Sequence, residues 1–320
     1  MCHTKTKSHS LVSEGDPTIL GTASLRGLSG YLLVLTATLI WSGNFIIARG
    51  LPDHISPVTL SFLRWLTALF VIAPFAVKSL WCQRSIIRHN LVFLSAVAFL
   101  AVTLFNTLLY IAAHDSSALN MTLIAISSPV FVVVLARIFL GEPLTPQRII
   151  GLLLAVTGIV LLITGGDITV LTNLTFSIGD FWMLVAAVAF AAYSILVKYK
   201  PEGLSQIAFL ASIIILGFTF LIPWALWENL YDGKLELSFR VLTAIGYIGV
   251  GPSIIAFLCW NRAVLEIGPT RTAFVYYSLP VFSGLEAYLF LDEPISWIHI
   301  LSGMLIIFAI VLANVYRNDT

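Results

Sequence analysis

The sequence predicts an all-α integral membrane protein: ten transmembrane helices arranged as two inverted five-helix repeats. Three observations predict it. Of 320 residues, 59% are hydrophobic and only 10% charged, where soluble domains carry about 25% charge. The apolar residues fall into ten runs, each close to the ~20 residues a helix needs to cross a ~30 Å hydrocarbon core. The second half of the chain repeats the first. A net charge of +1 leaves no basic face for nucleic acid, so the expected partners are a lipid bilayer and a small-molecule solute.

Residues 1–30 are rich in Ser, Thr and Gly and lack an apolar run, and they are read as a flexible tail too polar in front to be a secretory signal. Spans are then expected near 31–50, 57–79, 90–112, 116–139, 147–166, 178–198, 204–227, 239–262, 268–290 and 295–315. Charge, Gly or Pro marks the breaks, as in LPDHIS, GEPLTPQR, KYKPEG and LDEPIS. Backbone groups in lipid must pair internally, which leaves helices or a closed barrel. Long unbroken apolar runs exclude the alternating barrel pattern. The organisation is therefore a first repeat over 31–166, an extracytoplasmic linker at 167–177, a second repeat over 178–315 and a short tail at 316–320.

Lys and Arg fix the expected orientation. Loops on one side, with both termini, hold thirteen of the seventeen; the other side has Arg49, Lys234 and Arg240, and Arg64 lies inside a span. The thirteen-to-three bias places both termini in the cytoplasm.

The repeat is clearest between 128–143 (SPVFVVVLARIFLGEP) and 279–294 (LPVFSGLEAYLFLDEP), where eight of sixteen positions are identical at an offset of 151. Each block bridges the fourth and fifth spans of its half. Five is odd, so the second copy enters the membrane from the opposite side. Inverted repeats around a mid-membrane site are a transporter signature; plain ancestral duplication is the alternative.

These blocks, with TLIWSGNFIIARG, SPVTLSFLRWLTA, LLYIAAHDSSALNMTLIAISSPVF and CWNRAVLEIGPTRTAFVYYSLPVF, resemble EamA-type transporters of the drug/metabolite transporter superfamily over about residues 31–315. The resemblance implies ten helices, cytoplasmic ends, a bacterial inner-membrane location and a central solute cavity serving efflux of amino acids, metabolites or drugs. More distant branches exchange nucleotide sugars or sugar phosphates. It does not name the solute.

Helix rise places Ser128 and Pro129, and likewise Pro280, near the midplane. A proline frees the carbonyl four residues earlier, here Ala125 and Tyr276. Such carbonyls at mid-membrane need protein or a cavity to satisfy them, so both kinks are expected to border the solute path; the alternative is that they only shape packing. Trp41 and Phe190 reach a similar depth, beside Ser42, Asn44, Tyr193 and Ser194. Asn44 is either an interhelical tie or a solute ligand. Trp41 is a stacking wall or core filler. Asn106 and Tyr110, then Trp260 and Asn261, are candidates nearer a membrane face, where anchoring in an aromatic belt competes with a site role. Of Tyr276 and Tyr277, Tyr276 is expected to point inward.

Two ionisable residues lie within spans. Arg64 either snorkels outward or sits inside against carbonyls or an anionic solute. Glu286 either snorkels or bonds a neighbouring helix, or it faces an outer vestibule and binds a solute amine or proton; Glu286 and His114 are the candidates for proton coupling. Glu142 and Glu293 are read as caps of the next helices. Gly151, Gly158 and Gly303 are read as close-packing positions, with a homodimer face as one use.

No nucleotide-binding loop, HExxH or GxSxG occurs, and Cys2, Cys82 and Cys259 form no CxxC pair. No cofactor, metal or catalytic residue is expected. Two other readings remain: a nucleotide-sugar or phosphorylated-metabolite antiporter, which would need more basic residues than Arg64, and a membrane enzyme or scaffold using His114 and Asp115.

Overall fold

The computed structural model describes residues 17–50, 54–116, 118–167, 169–231, 233–236, 238–291 and 296–314. It is helical throughout; among the described residues the one β-type feature is an isolated antiparallel bridge between Ile55 and Leu235. The long helices are α1 (Pro17–Gly50), α2 (Pro57–Cys82), α3 (Leu91–Asp115), the two-part α4 (Ala118–Ala125 and Ser127–Leu140), α5 (Pro146–Thr164), α6 (Ile178–Lys198), α7 (Gln206–Tyr231), α8 (Phe239–Ile267), the two-part α9 (Pro269–Tyr276 and Leu279–Leu291) and α10 (Trp297–Asn314). Eight helices among the described residues are long and apolar enough to cross a membrane.

Local sequence explains the ends. Pro57 and Pro146 open α2 and α5, where a missing N–H costs nothing. Thr145 caps α5 by accepting from the Arg148 amide, and Ser177 with Asp180 forms a capping box on α6. Gly141 and Gly165 end α4 and α5 in left-handed conformations that suit glycine.

Several expectations need amendment. Helix α1 begins at Pro17, within the stretch read as a flexible tail, and the segment read as linker contains a helical turn at Thr169–Thr172. Glu142 does not cap α5; it forms an ion pair with Arg148 at 3.3 Å, and Thr145 is the cap. Glu293 lies outside the described residues. Gly151 and Gly158 do not form an outer face. A Cβ on Gly151 would lie 2.8 Å from the Ala313 Cβ, and one on Gly158 3.0 Å from Ile306, so both seat α5 against α10 of the same chain. Gly303 packs against nothing: a Cβ there would meet open space.

The main helix contacts recur when each helix is exchanged with the one five places on. Helix α1 packs on α8 and α9 as α6 packs on α3 and α4, and α2 packs on α8 as α7 packs on α3. The pairs α2–α7, α4–α9 and α5–α10 map onto themselves. Within two of these pairs the helices run antiparallel. Gly151, early in α5, meets Ala313, late in α10. The amides of Val58 and Thr59 at the start of α2 donate to the Glu228 carboxylate near the end of α7 (3.0 and 2.7 Å). At the opposite ends of the same two helices, the Ser205 amide at the start of α7 donates to the Gln83 side chain just past α2 (2.9 Å). Each helix of this pair therefore has its first turn capped by the tail of the other.

Irregularities recur in register as well. Residues 99–104 of α3 and 251–255 of α8 form π-helical turns. Helix α4 breaks at Ile126 and α9 at Tyr277–Ser278, immediately before Ser128–Pro129 and Pro280. The Tyr277 hydroxyl donates to the Ile126 carbonyl at 3.3 Å, tying the two breaks together. The carbonyl served across the axis is thus that of Ile126, not Ala125, because the chain turns at Ile126.

Candidate functional site

The irregular backbone of α8 builds the middle of the molecule. Pro252 has no N–H, so the Ile248 carbonyl four residues earlier loses its helical donor. The Ser253 hydroxyl fills that place at 2.7 Å. With its proton committed there, Ser253 Oγ can accept, and it accepts from Arg64 Nε at 2.5 Å. The Pro252 carbonyl in turn accepts from Trp41 Nε1 at 3.0 Å. One disturbed turn thus holds both the buried cation of α2 and the central indole of α1.

Around Trp41 lies a layer of rings from both halves of the chain. Its ring centroid is 5.6 Å from Phe190, 5.6 Å from Phe257, 5.3 Å from Trp260 and 6.0 Å from Tyr276. Phe190 also contacts Phe105 (4.9 Å), and Trp65 contacts Phe257 (5.6 Å). Edge-to-face and tilted pairs at these separations are favourable. The rings touch one another and Trp41 is only 5% exposed, so the expected cavity is closed by side chains here.

Arg64 is fully buried. Nη1 donates to the Tyr110 hydroxyl at 2.8 Å and to Asn44 Oδ1 at 3.3 Å. Tyr110 donates on to Asn44 Oδ1 at 3.2 Å. The guanidinium lies over the Trp65 ring, 5.2 Å from its centroid. Every one of these partners is neutral. Of the two readings of Arg64, the structure gives the interior one, since a snorkelling chain would reach the surface.

The second half carries a counterpart: the Tyr193 hydroxyl of α6 donates to Asn261 Oδ1 of α8. Each half thus joins its first and third helices by an Asn–Tyr bond, with the two residue types exchanged. Tyr110, Trp260 and Asn261 are all buried, so membrane-belt anchoring does not describe them; they face inward because α3 and α8 lie at the centre of the bundle. Trp260 Nε1 reaches Ser194 Oγ at 3.3 Å, and Ser194 donates back to the Phe190 carbonyl at 2.9 Å. Asn106 spends its amide on the Ala101 carbonyl (2.9 Å) within the π-helical turn.

Tyr276 enters the ring layer as expected, but Tyr277 is equally buried, bonded to the α4 break. Ser128 and Pro129 are buried at the start of the second part of α4. Pro280 lines a small apolar pocket with Thr122, Ile159, Tyr276 and Tyr277, and a second pocket of about 290 Å³ toward Gly284 and Gly303. Glu286 meets a neighbouring helix: Ser42 donates to its Oε1 at 2.8 Å, while its Oε2 is buried with no partner. His114 and Asp115 are exposed, and no group of three or more His, Cys, Asp or Glu that could hold a metal occurs among the described residues.

Sequence reading missed Ser253, Phe257, Trp65 and Phe105. A Gly-Pro-Ser run inside an apolar span was the available signal for Ser253. The three rings carried none, because an aromatic residue in a membrane helix reads the same whether it faces lipid or the centre.

Comparison with known proteins now decides the family, for the EamA-like transporter family profile matches residues 28–164 and again 177–315. The chain belongs to the EamA-like transporter family. Among its relatives, the uncharacterized transporter YyaM of Bacillus subtilis is 23% identical over 91% of this chain and 95% of its own length. An uncharacterized transporter of Archaeoglobus fulgidus is 27% identical over 90% of this chain and 98% of its own length. A probable terminal-alkyne amino-acid exporter of Streptantibioticus cattleyicolor is 28% identical over 63% of this chain and 65% of its own. A protein crystal structure 18% identical superposes with a TM-score of 0.66, covering 92% of this chain and 96% of that one, which shows the shared fold. As an EamA-like transporter the chain is a multi-pass membrane protein that handles small solutes.

Proposed function

We propose that this EamA-like protein is a secondary transporter that exports small organic solutes, such as amino acids, related metabolites or drugs, by alternating access. Ten helices cross the membrane as two inverted five-helix repeats, both termini are cytoplasmic, and the solute passes through the layer around Trp41. The antiparallel pairing of α2 with α7 and of α5 with α10 supports the inversion. The thirteen-to-three distribution of Lys and Arg supports the orientation.

One observation carries the reading: the ring layer is shared between the repeats at the level of their paired breaks. Trp41 comes from the first half and Phe190, Trp260 and Tyr276 from the second. Two halves that meet in a closed layer can open to one side or the other by rocking about it. The named exporter among the relatives makes amino acids the first solutes to try.

Counterflow in proteoliposomes tests this. Vesicles loaded with unlabelled amino acid should accumulate the labelled one, and Trp41→Ala should abolish accumulation in a variant that still elutes as a folded monodisperse protein. Absence of counterflow across a panel of amino acids, monocarboxylates and cationic drugs would overturn it.

A further inference from the structure

The middle of the protein holds a positive charge that has no acidic partner among the described residues. Arg64 is fully buried, and its three hydrogen-bond contacts go to Ser253, Tyr110 and Asn44, all uncharged. A guanidinium keeps its charge wherever it is placed, and burying an unpaired charge costs several kcal/mol. Its second terminal nitrogen, Nη2, is buried with no partner at all.

A further buried donor beside it shares that condition: Trp65 Nε1, on the ring beneath the guanidinium, has no acceptor among the described residues. Orphaned buried donors are rare in native structures and call for an explanation. Here the surplus is of donors around a cation, which is the electrostatic complement of an anion.

We infer that Arg64 is the recognition site for the carboxylate of the transported solute, and that the substrate class is small monocarboxylates with an apolar or aromatic body. The inference rests on the transporter reading above and gives its site a polarity. Arg64 Nε and Nη1 are already committed, so the carboxylate would take its charge-assisted bond from the free Nη2. The remainder of the solute would lie against the edge-to-face rings of Trp65, Phe257 and Trp41, which offer apolar area and little else. A phosphate ester carries a second negative charge, and the one cation of this layer leaves that charge unmatched.

Glu286 does not read the amino group of such a solute in this conformation. It bonds Ser42, whereas Arg64 bonds Asn44. Two positions along a helix are about 200° apart in azimuth, so the two ions lie on opposite flanks of α1. The adjacent charges of an α-amino acid cannot bridge them. Arg64 alone therefore sets the class, and deamination should be tolerated.

The test uses purified full-length protein in detergent with 3-phenylpropionate, 3-phenylpropionamide and phenylalanine as probes, at constant sodium chloride. A ligand that binds the folded state raises the melting temperature. Wild type should bind both carboxylates about tenfold or more tightly than the amide, the difference expected for one charge-assisted contact. Arg64→Gln should reduce that preference to about twofold or less, and Arg64→Lys should restore part of it. Because Arg64→Gln removes a buried group and could fail to fold, wild type is also treated with phenylglyoxal: 3-phenylpropionate should protect Arg64 from modification, scored by mass spectrometry, and the amide should not.

Equal binding of acid and amide, preference retained in Arg64→Gln, or equal protection by both would overturn the inference. So would a titration in which chloride alone matches the acid, since that marks a simple halide site. Counterflow of a neutral solute together with any of these results would leave the transporter reading standing while removing the carboxylate site. Binding of the acid without counterflow of any solute would do the reverse.

Discussion

At the scale of single residues, the packing around Trp41 makes it the side chain whose loss should be felt most. It touches four other rings and spends its N–H on the Pro252 carbonyl. Truncating a buried Trp to Ala typically costs about 3–5 kcal/mol. Trp41→Ala should therefore lower the melting temperature far more than Trp41→Phe, which keeps a ring and loses one hydrogen bond. The two Asn–Tyr ties give a paired prediction. Tyr193→Phe leaves Asn261 Oδ1 buried without its donor, at a cost of about 1–3 kcal/mol. Tyr110→Phe removes an acceptor from Arg64 as well, so it should destabilise more than Tyr193→Phe when both are read by thermal unfolding. Equal losses would mean that the Arg64 contact contributes nothing. These ties were half legible in the sequence. Asn44 drew notice because an amide in a membrane core needs a partner, and Asn261 as a polar candidate nearer a membrane face. Which partner it finds depends on how α1 and α3, or α6 and α8, are rotated, and an apolar span with few polar positions does not fix rotation.

At the scale of elements, the helices were legible because hydropathy and Pro or Gly breaks are one-dimensional signals. The irregular turns were legible only in part. Pro129 and Pro280 announced the breaks in α4 and α9, whereas Pro252, inside the α8 span, was a signal left unread. Nothing comparable announces the π-helical turn in α3, whose FLAVTL residues are ordinary helix formers. Contacts between elements were not legible, above all the exchange of caps between α2 and α7. Glu228 receives the Val58 and Thr59 amides and the Thr59 hydroxyl. A carboxylate at a helix N-terminus is favoured by the dipole as well as by its hydrogen bonds. Glu228→Ala should lower stability by about 1–2 kcal/mol, and a double-mutant cycle with Thr59→Ala should recover a coupling of like sign; strict additivity would count against the cap. Beside it, Ser56 N donates to the Lys234 carbonyl and Glu236 N to that of His54, each at 2.9 Å. The Glu236 carboxyl is held below its usual range, first by the His54 hydrogen bond and then by the charge of Lys234. A depressed carboxyl favours the folded latch above its ordinary value of 4.5 and loses that contribution as pH falls through the folded value. Both side chains are solvent-exposed, so the effect is local. Protection of the Ser56 and Glu236 amides, taken relative to their intrinsic exchange rates, should fall below pH 4.5 while the melting temperature changes little.

At the scale of the whole molecule, the proposed alternating access predicts which contacts part and which hold. Helices α2 and α7 cap each other at both ends and α5 is seated on α10 through Gly151 and Gly158, so these self-paired elements make a poor hinge. Among the described residues the side-chain hydrogen bond between α1 and α9 is that of Ser42 to Glu286, alongside the Trp41–Tyr276 ring contact. Parting α1 from α9 on one side, and α6 from α4 on the other, would open the layer alternately without breaking either cap. Lids and gates are drawn from contacts of low local stability, and this seam fits that description. A protein with Ser42→Cys and Glu286→Cys, joined by a short reducible thiol cross-linker, should lose counterflow and regain it on reduction. A matching pair on the fixed α2–α7 seam, Thr59→Cys with Asn229→Cys, whose native side chains bond at 3.0 Å, should tolerate the same cross-linker with transport intact, provided both proteins remain monodisperse. The cysteines at Ser42 and Glu286 must first be shown to transport when unlinked, which separates the loss of the carboxylate from the loss of motion. Undiminished counterflow in the cross-linked α1–α9 protein would place the moving seam elsewhere. Arrest by the α2–α7 link would mean that the halves move across the helices taken here as fixed.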